Sequence, residues 1–223
     1  MKLPCWTPSR PNRFSGRYFF FSPKLGRTTT ASSKLEFERR LLVEFDPKVK
    51  EYLEEPDWAQ AVIDGKRVRS RFDLLVEFVD GSRRYEEIKY ASELKDPASR
   101  AHRQIEVQRV FCERMGYSHA VVTDLEIWEN PILVVSLRRL SHEFTRNYPE
   151  WINEAHGYRP FILESVQEYH RVELKGLLSR RPATVPEHIF RLSVMDLIRT
   201  GDIDARLGEQ HFCGTSILER RSQ

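Results

Sequence analysis

The chain has 223 residues, 40% hydrophobic and 31% charged, with 36 Lys and Arg against 33 Asp and Glu and a net charge of +3. A mean hydropathy of −0.55 and charges in every apolar run exclude a membrane-spanning helix, and Tyr18-Phe19-Phe20-Phe21 is too short for a secretory signal core. Cys5, Cys112 and Cys213 lie far apart with no CxxC pair, which excludes a disulfide framework and a structural zinc site and fits a reducing cytoplasm.

Residues 1–16 hold three prolines, several basic side chains and no periodicity, and predict an extended arm. Residues 17–22 are aromatic, 23–26 form a turn and 27–30 are β-branched, so a hairpin is expected. Ser32 or Ser33 caps a helix to about residue 44, with Glu36 or Glu38 in its first turn. Its apolar residues Leu35, Phe37, Leu41, Leu42 and Phe45 recur at helical spacing. Asp46-Pro47 ends it, and residues 49–53 predict one further helical turn before Pro56.

Strands are expected over residues 58–63 and 66–79, around the turn Asp64-Gly65. In the second, Phe72, Leu74, Val76 and Phe78 alternate with Arg71, Asp73, Leu75 and Glu77, the pattern of a half-buried strand. Asp80-Gly81 turns the chain and residues 83–90 return. A helix over 98–115 stops at Gly116, and strands are expected at 119–123 and 132–135. This order is an α/β core. Beyond residue 143 the pattern becomes helical, with one helix within 160–178, another over 186–200 closed by Gly201, and a short strand at 212–218. Phe190, Val194, Leu197 and Ile198 share a face of the second helix, and Trp151 and Tyr158 read as core anchors. A boundary between 138 and 160 divides the chain into an arm (1–16), a catalytic domain (17–142) and a smaller C-terminal domain (143–223).

The chemistry concentrates at Asp73 and at Glu87-Ile88-Lys89. Two acids and a lysine on one sheet face are what metal-dependent phosphodiester hydrolysis requires: the acids hold a cation and the lysine orients the nucleophile. Register decides whether they meet. A two-residue Asp80-Gly81 loop would pair Asp73 with Ile88, whereas a three-residue loop over 79–81, with Gly81 left-handed, pairs Phe78 with Ser82 and Asp73 with Glu87. A nuclease needs the odd-length loop. Singly, Glu36 is also explained as a first-turn acid or an i+4 partner of Arg40, and Glu87 and Lys89 as exposed strand residues. Asp73 is less easily dismissed, because Asp fits a strand poorly. The basic run Lys66, Arg67, Arg69 and Arg71 precedes the acids and suits contact with backbone phosphates, which fixes register without reading sequence.

Ser33-Lys34-Leu35-Glu36 opening a helix, Glu44-Phe45-Asp46-Pro47, Val49, Tyr52 and Glu55-Pro56, followed by Asp73-Leu74-Leu75-Val76, Asp80-Gly81, Glu87-Ile88-Lys89 and residues 116–124, resemble the N-terminal domain of TnsA-type transposon endonucleases. Ser22-Pro23-Lys24-Leu25-Gly26 is also similar, so the resemblance covers roughly residues 15–135. It departs at Glu55, where relatives often have Gln, and at Tyr90, where proline is common. The C-terminal part, a basic helix pair followed by a short strand, reads as a small, mostly helical domain, either winged-helix-like or a helical extension packed on the core. The resemblance implies a restriction-endonuclease-like PD-(D/E)xK fold, a mixed sheet flanked by helices. It also implies Mg²⁺- or Mn²⁺-dependent cleavage of double-stranded DNA at transposon ends, beside a DDE-type transposase (TnsB-like) and an AAA+ ATPase regulator (TnsC-like), in the cytoplasm. Carried over by position, Asp73, Glu87 and the Ile88 carbonyl would ligate the metal, Glu36 would hold a water or a second ion, and Lys89 would orient the attacking water. A stand-alone restriction or repair nuclease and a non-catalytic transposase scaffold are the alternatives.

Overall fold

The computed structural model describes residues 17–221 except residue 64, so the arm expected over 1–16 lies outside the described residues. Strands β1 (Tyr18–Ser22) and β2 (Arg27–Ala31) form the expected hairpin, with Ser22 opposite Arg27. Ser33 caps α1 (Lys34–Phe45), its side chain accepting from the Glu36 N–H at 3.1 Å. The conspicuous residues around this junction prove to be one buried network. Ser22 Oγ donates to Glu44 Oε2 at 2.5 Å, Tyr52 O–H reaches the same oxygen at 3.1 Å, and the Lys24 ammonium donates to the Asp46 carbonyl at 2.8 Å.

After Pro47 the chain forms β3 (Val49–Glu54), not a helical turn: with no helical N–H ladder to continue, these residues add an antiparallel edge to β6 (Leu74–Phe78). The expected strand over 66–79 is interrupted. β4 (Trp58–Ile63) and β5 (Lys66–Arg71) form their own two-stranded sheet, and the chain bends at Phe72 and Asp73 before β6. The bend follows from packing: Phe72 leaves the face expected to hold it with Leu74, Val76 and Phe78 and lies against Tyr85, with ring centroids 4.5 Å apart. Hence Arg71, expected on the strand face of Asp73, belongs with Arg69 to a different sheet.

The central sheet runs β3-β6-β7-β8, with β7 (Arg83–Lys89) antiparallel to β6 and parallel to β8 (Ser118–Thr123). Its two faces are read directly from strand alternation. Leu74 and Val76 meet Val43 of α1, and Ile88 meets Leu35. On the other side Tyr85 and Leu75 meet Val107 and Cys112 of α2 (Arg100–Met115), which also carries the β4–β5 hairpin through Ala59 and Ala61. This is the mixed sheet flanked by helices that the sequence implies.

Short α3 (Asp124–Ile127) leads to α4 (Pro131–His156), where a strand was expected at 132–135. Asn130 caps this helix with Pro131 in its first turn, and Val134, Leu137, Leu140 and Phe144 continue a helical stripe that overrides the local β-propensity of Ile132 to Val135. Next come α5 (Arg159–Tyr169), β9 (Val172–Glu173), α6 (Leu174–Ser179), α7 (Glu187–Thr200), β10 (Ile203–Asp204) and β11 (Ile217–Arg220). Residues 160–178 thus hold two helices separated by β9, and the final strand starts later than expected. A three-stranded antiparallel sheet ordered β10-β11-β9 backs the helices. Residues 192–198 of α7 are buried without a break. Helix α4 runs through the boundary expected at 138–160, and Phe20 and Leu41 share one core with Leu140, Phe144, Phe190 and Leu197. Trp151 and Tyr158 pack against that core. No helix among the described residues is long and apolar enough to cross a membrane.

Candidate active site

The turn that sets the register is the odd-length one. Phe78 N–H donates to the Ser82 carbonyl at 2.9 Å, Gly81 N–H donates to the Phe78 carbonyl at 3.0 Å, and Gly81 adopts φ 84°. The φ value favours glycine, since a side chain in the left-handed region is strained. From this turn the ladder pairs Glu77 with Arg83 and Leu74 with Glu86, which brings Asp73 level with Glu87.

At that end the ladder gives way to side-chain chemistry. Asp73 N–H takes the Glu86 carbonyl at 3.1 Å, and Asp73 Oδ2 accepts the Ile88 N–H at 2.7 Å in place of a strand carbonyl. The N–H and C=O of one strand residue face the same neighbour, so the Ile88 carbonyl is directed to the same edge. Lys89 Nζ stands 2.5 Å from Glu87 Oε1, with Glu87 almost wholly buried. Burial, reinforced by the Glu87 charge, holds the Asp73 carboxyl well above the usual carboxylate range. Burial alone would lower the Lys89 pKa, but the Glu87 and Asp73 carboxylates outweigh it and keep the ammonium charged.

Glu36 reaches this cluster electrostatically, its charge further raising the Asp73 pKa. Its carboxylate also accepts the Ser32 N–H at 3.1 Å and pairs with Arg40 at 3.5 Å. Among the described residues, no group of three or more His, Cys, Asp or Glu could by itself hold a metal ion. What the structure offers a cation is the pair Asp73 and Glu87 with the Ile88 carbonyl. That oxygen set fits a hard divalent ion that keeps several waters, and the charge favours one, because buried Glu87 and part-buried Asp73 face a single ammonium.

Sequence reasoning missed the residues that hold these groups. Fully buried Gln108 of α2 directs its amide nitrogen at Glu87 Oε2, 2.5 Å away. Asp124, which ends the 116–124 motif, accepts the Ala91 N–H at 2.6 Å and so pins the backbone just beyond Lys89. Arg39 forks onto buried Glu86 with bonds of 2.7 and 2.8 Å, clamping α1, and with it Glu36, to the strand that carries Glu87. A Gln at a core position of an amphipathic helix was the one signal available for Gln108; the other two pairings connect distant segments and leave no local trace.

The basic run lies on the outer hairpin. Arg67, Arg69 and Arg71 pair in register with Val62, Gln60 and Trp58 on one face. The Arg69 and Arg71 guanidiniums lie 4.7 and 5.7 Å from the Trp58 ring centroid, and Arg71 also pairs with Glu55 at 2.5 Å. Arg67 and Arg69 line a groove of about 350 Å³ with Arg114. Lys66 is exposed at the hairpin tip, out of step with the three arginines.

Residues 46–124 match the family described as TnsA-like endonuclease N terminal. The matched segment includes Asp73, Glu87 and Lys89, while Glu36 precedes it. The match supports a TnsA-type endonuclease, a nuclease of the Tn7 transposase type, and implies a DNA substrate within such a system. No curated protein matches the chain.

Proposed function

We propose, from a chain whose residues 46–124 match a TnsA-like endonuclease N-terminal domain, that this protein is the endonuclease subunit of a heteromeric transposase. It hydrolyses, at transposon ends, the strand that a DDE-type transposase (TnsB-like) leaves intact, in concert with an AAA+ regulator (TnsC-like). The observation that carries this reading is the convergence of Asp73, Glu87 and Lys89 where β6 begins and β7 ends. Asp73, Glu87 and the Ile88 carbonyl would hold Mg²⁺ or Mn²⁺, which when bound activates water and offsets phosphate charge. Lys89 supplies a fixed positive charge that orients the attacking water and meets the phosphate. Glu36, from the first turn of α1, orients water from the other side. Cleavage leaves a 5′-phosphate and a 3′-hydroxyl.

The Arg67, Arg69 and Arg71 face, with Lys66 at its tip, tracks the DNA backbone, and residues 143–223 contact partners or DNA. Replacing Arg67 and Arg69 with Ala should weaken duplex binding alike for all sequences. The slope of log affinity against log salt should fall by roughly 2, about 0.9 for each phosphate that is no longer neutralised. An unchanged slope in a filter-binding titration would remove these residues from the interface.

The decisive test is nicking of transposon-end DNA with and without transposase and Mg²⁺. Cutting should require both. Efficient cutting of plain duplex by the chain alone would support a stand-alone nuclease, and no cutting in the complete mixture would support a scaffold.

A further inference from the structure

Gln108 is an uncharged side chain, 0% exposed, on the helix beneath the acids. Its amide nitrogen lies 2.5 Å from Glu87 Oε2, 3.1 Å from Ser70 Oγ and 3.1 Å from the Arg71 carbonyl. A carboxylate and a peptide carbonyl only accept hydrogen bonds, so the group facing them must be the NH₂. The amide oxygen then faces His119 Nε2, 3.2 Å away, and that nitrogen must carry a hydrogen. Burial lowers the His119 pKa, favouring the neutral ring. The orientation of the Gln108 amide is therefore fixed from both ends: by acceptors on β5 and β7, and by a donor on β8.

We infer that Gln108 is a positioning residue for Glu87: it holds one carboxylate oxygen and the end of the basic hairpin on the same amide group. Lys89 takes the other oxygen. With both oxygens held, the Glu87 carboxylate cannot rotate freely, and its orientation is set before any cation arrives. Because Ser70 and Arg71 close the strand that carries the arginine face, the amide also couples the seat of the hairpin to the acid. This rests on the metal-dependent reading above. Partners that orient a ligating carboxylate are worth about 10–100-fold in metal affinity.

Two measurements test it. Gln108→Met keeps the length and apolar stem but removes the amide. By calorimetric titration it should bind Mn²⁺ about tenfold or more weakly than the unaltered chain. Ser70→Ala, which leaves the Glu87 contact in place, should retain full Mn²⁺ affinity. Unaltered Mn²⁺ affinity in a folded Gln108→Met variant would overturn the inference. The second measurement needs no variant: nitrogen-15 spectra should show His119 protonated on Nε2. An Nδ1–H tautomer would mean that the amide oxygen faces Glu87, and would equally overturn it. Absence of Mn²⁺ binding by the unaltered chain would instead sink the metal-dependent reading, a result distinct from loss confined to the variant.

Discussion

Asp73→Asn should abolish divalent-metal-dependent nicking and, in the metal-free protein, raise the melting temperature. The loss follows from removing a ligand charge. Several kcal/mol of transition-state stabilisation is at stake, and at about 1.4 kcal/mol per factor of ten this is roughly a 10³-fold drop or more. The gain has a separate cause. Asn keeps an oxygen to accept the Ile88 N–H, but removes a part-buried negative charge from beside Glu87. The folded pKa of Asp73 lies above its unfolded value, so ionisation opposes folding. That penalty is absent at a pH below the unfolded pKa, grows as pH rises towards the folded pKa, and is complete above it. The stabilisation by Asp73→Asn should therefore appear at neutral pH and vanish in acid. Its size is a few degrees, since roughly 1 kcal/mol moves the midpoint about 2–4 °C in a domain of 150–250 residues. Adding Mg²⁺ should stabilise the unaltered chain and not the variant. A melting temperature unchanged or lowered at neutral pH would show that the two acids do not repel each other in the folded protein.

Arg39→Met should cost about 3 kcal/mol of stability, the scale of removing one partner from a buried ion pair. Glu86 is 0% exposed and would keep only Arg84, 2.7 Å away. Burial by itself would raise the Glu86 pKa, but the Arg39 and Arg84 charges outweigh it and hold the carboxyl below the usual range. Its contribution is thus present above the ordinary carboxylate range and lost as pH falls through the depressed folded value. Urea denaturation should show the Arg39→Met deficit at neutral pH and a narrowing of it in acid. The double replacement Arg39→Met with Glu86→Leu should recover much of the loss, because an apolar pair of similar volume avoids the desolvation cost. If the double variant were no more stable than the single one, the clamp would owe its effect to shape and not to charge.

Local signals carried much of this structure, and their failures share one cause. The Gly81 turn, the Ser33 cap and the Gly116 stop were legible because each is decided within a few residues. The acid cluster was legible through the family resemblance, while register left two turn lengths open, and the length of that one turn determines which side chains face each other. Residues 49–53 and 132–135 were misassigned because short apolar runs fit either period and tertiary packing decides between them. The bend at Phe72 was invisible for a similar reason: it depends on Tyr85, brought near only by the completed sheet. Gln108, Arg39 and Asp124 show the same limit at the site. Their partners lie 21, 47 and 33 positions away, beyond any local pattern.

The enclosure of α7 bears on how a target is chosen. A helix that inspects base edges must lie in the major groove with one flank open to the bases. Two consecutive turns of α7 have no such flank. Uncovering Val194 or Leu197 would forfeit about 1.5–3 kcal/mol for each side chain, as much as one well-made base contact returns. Insertion of residues 192–198 thus offers no net discrimination between sequences, and any reading of bases by α7 falls to its first turn, where Glu187 and His188 are exposed.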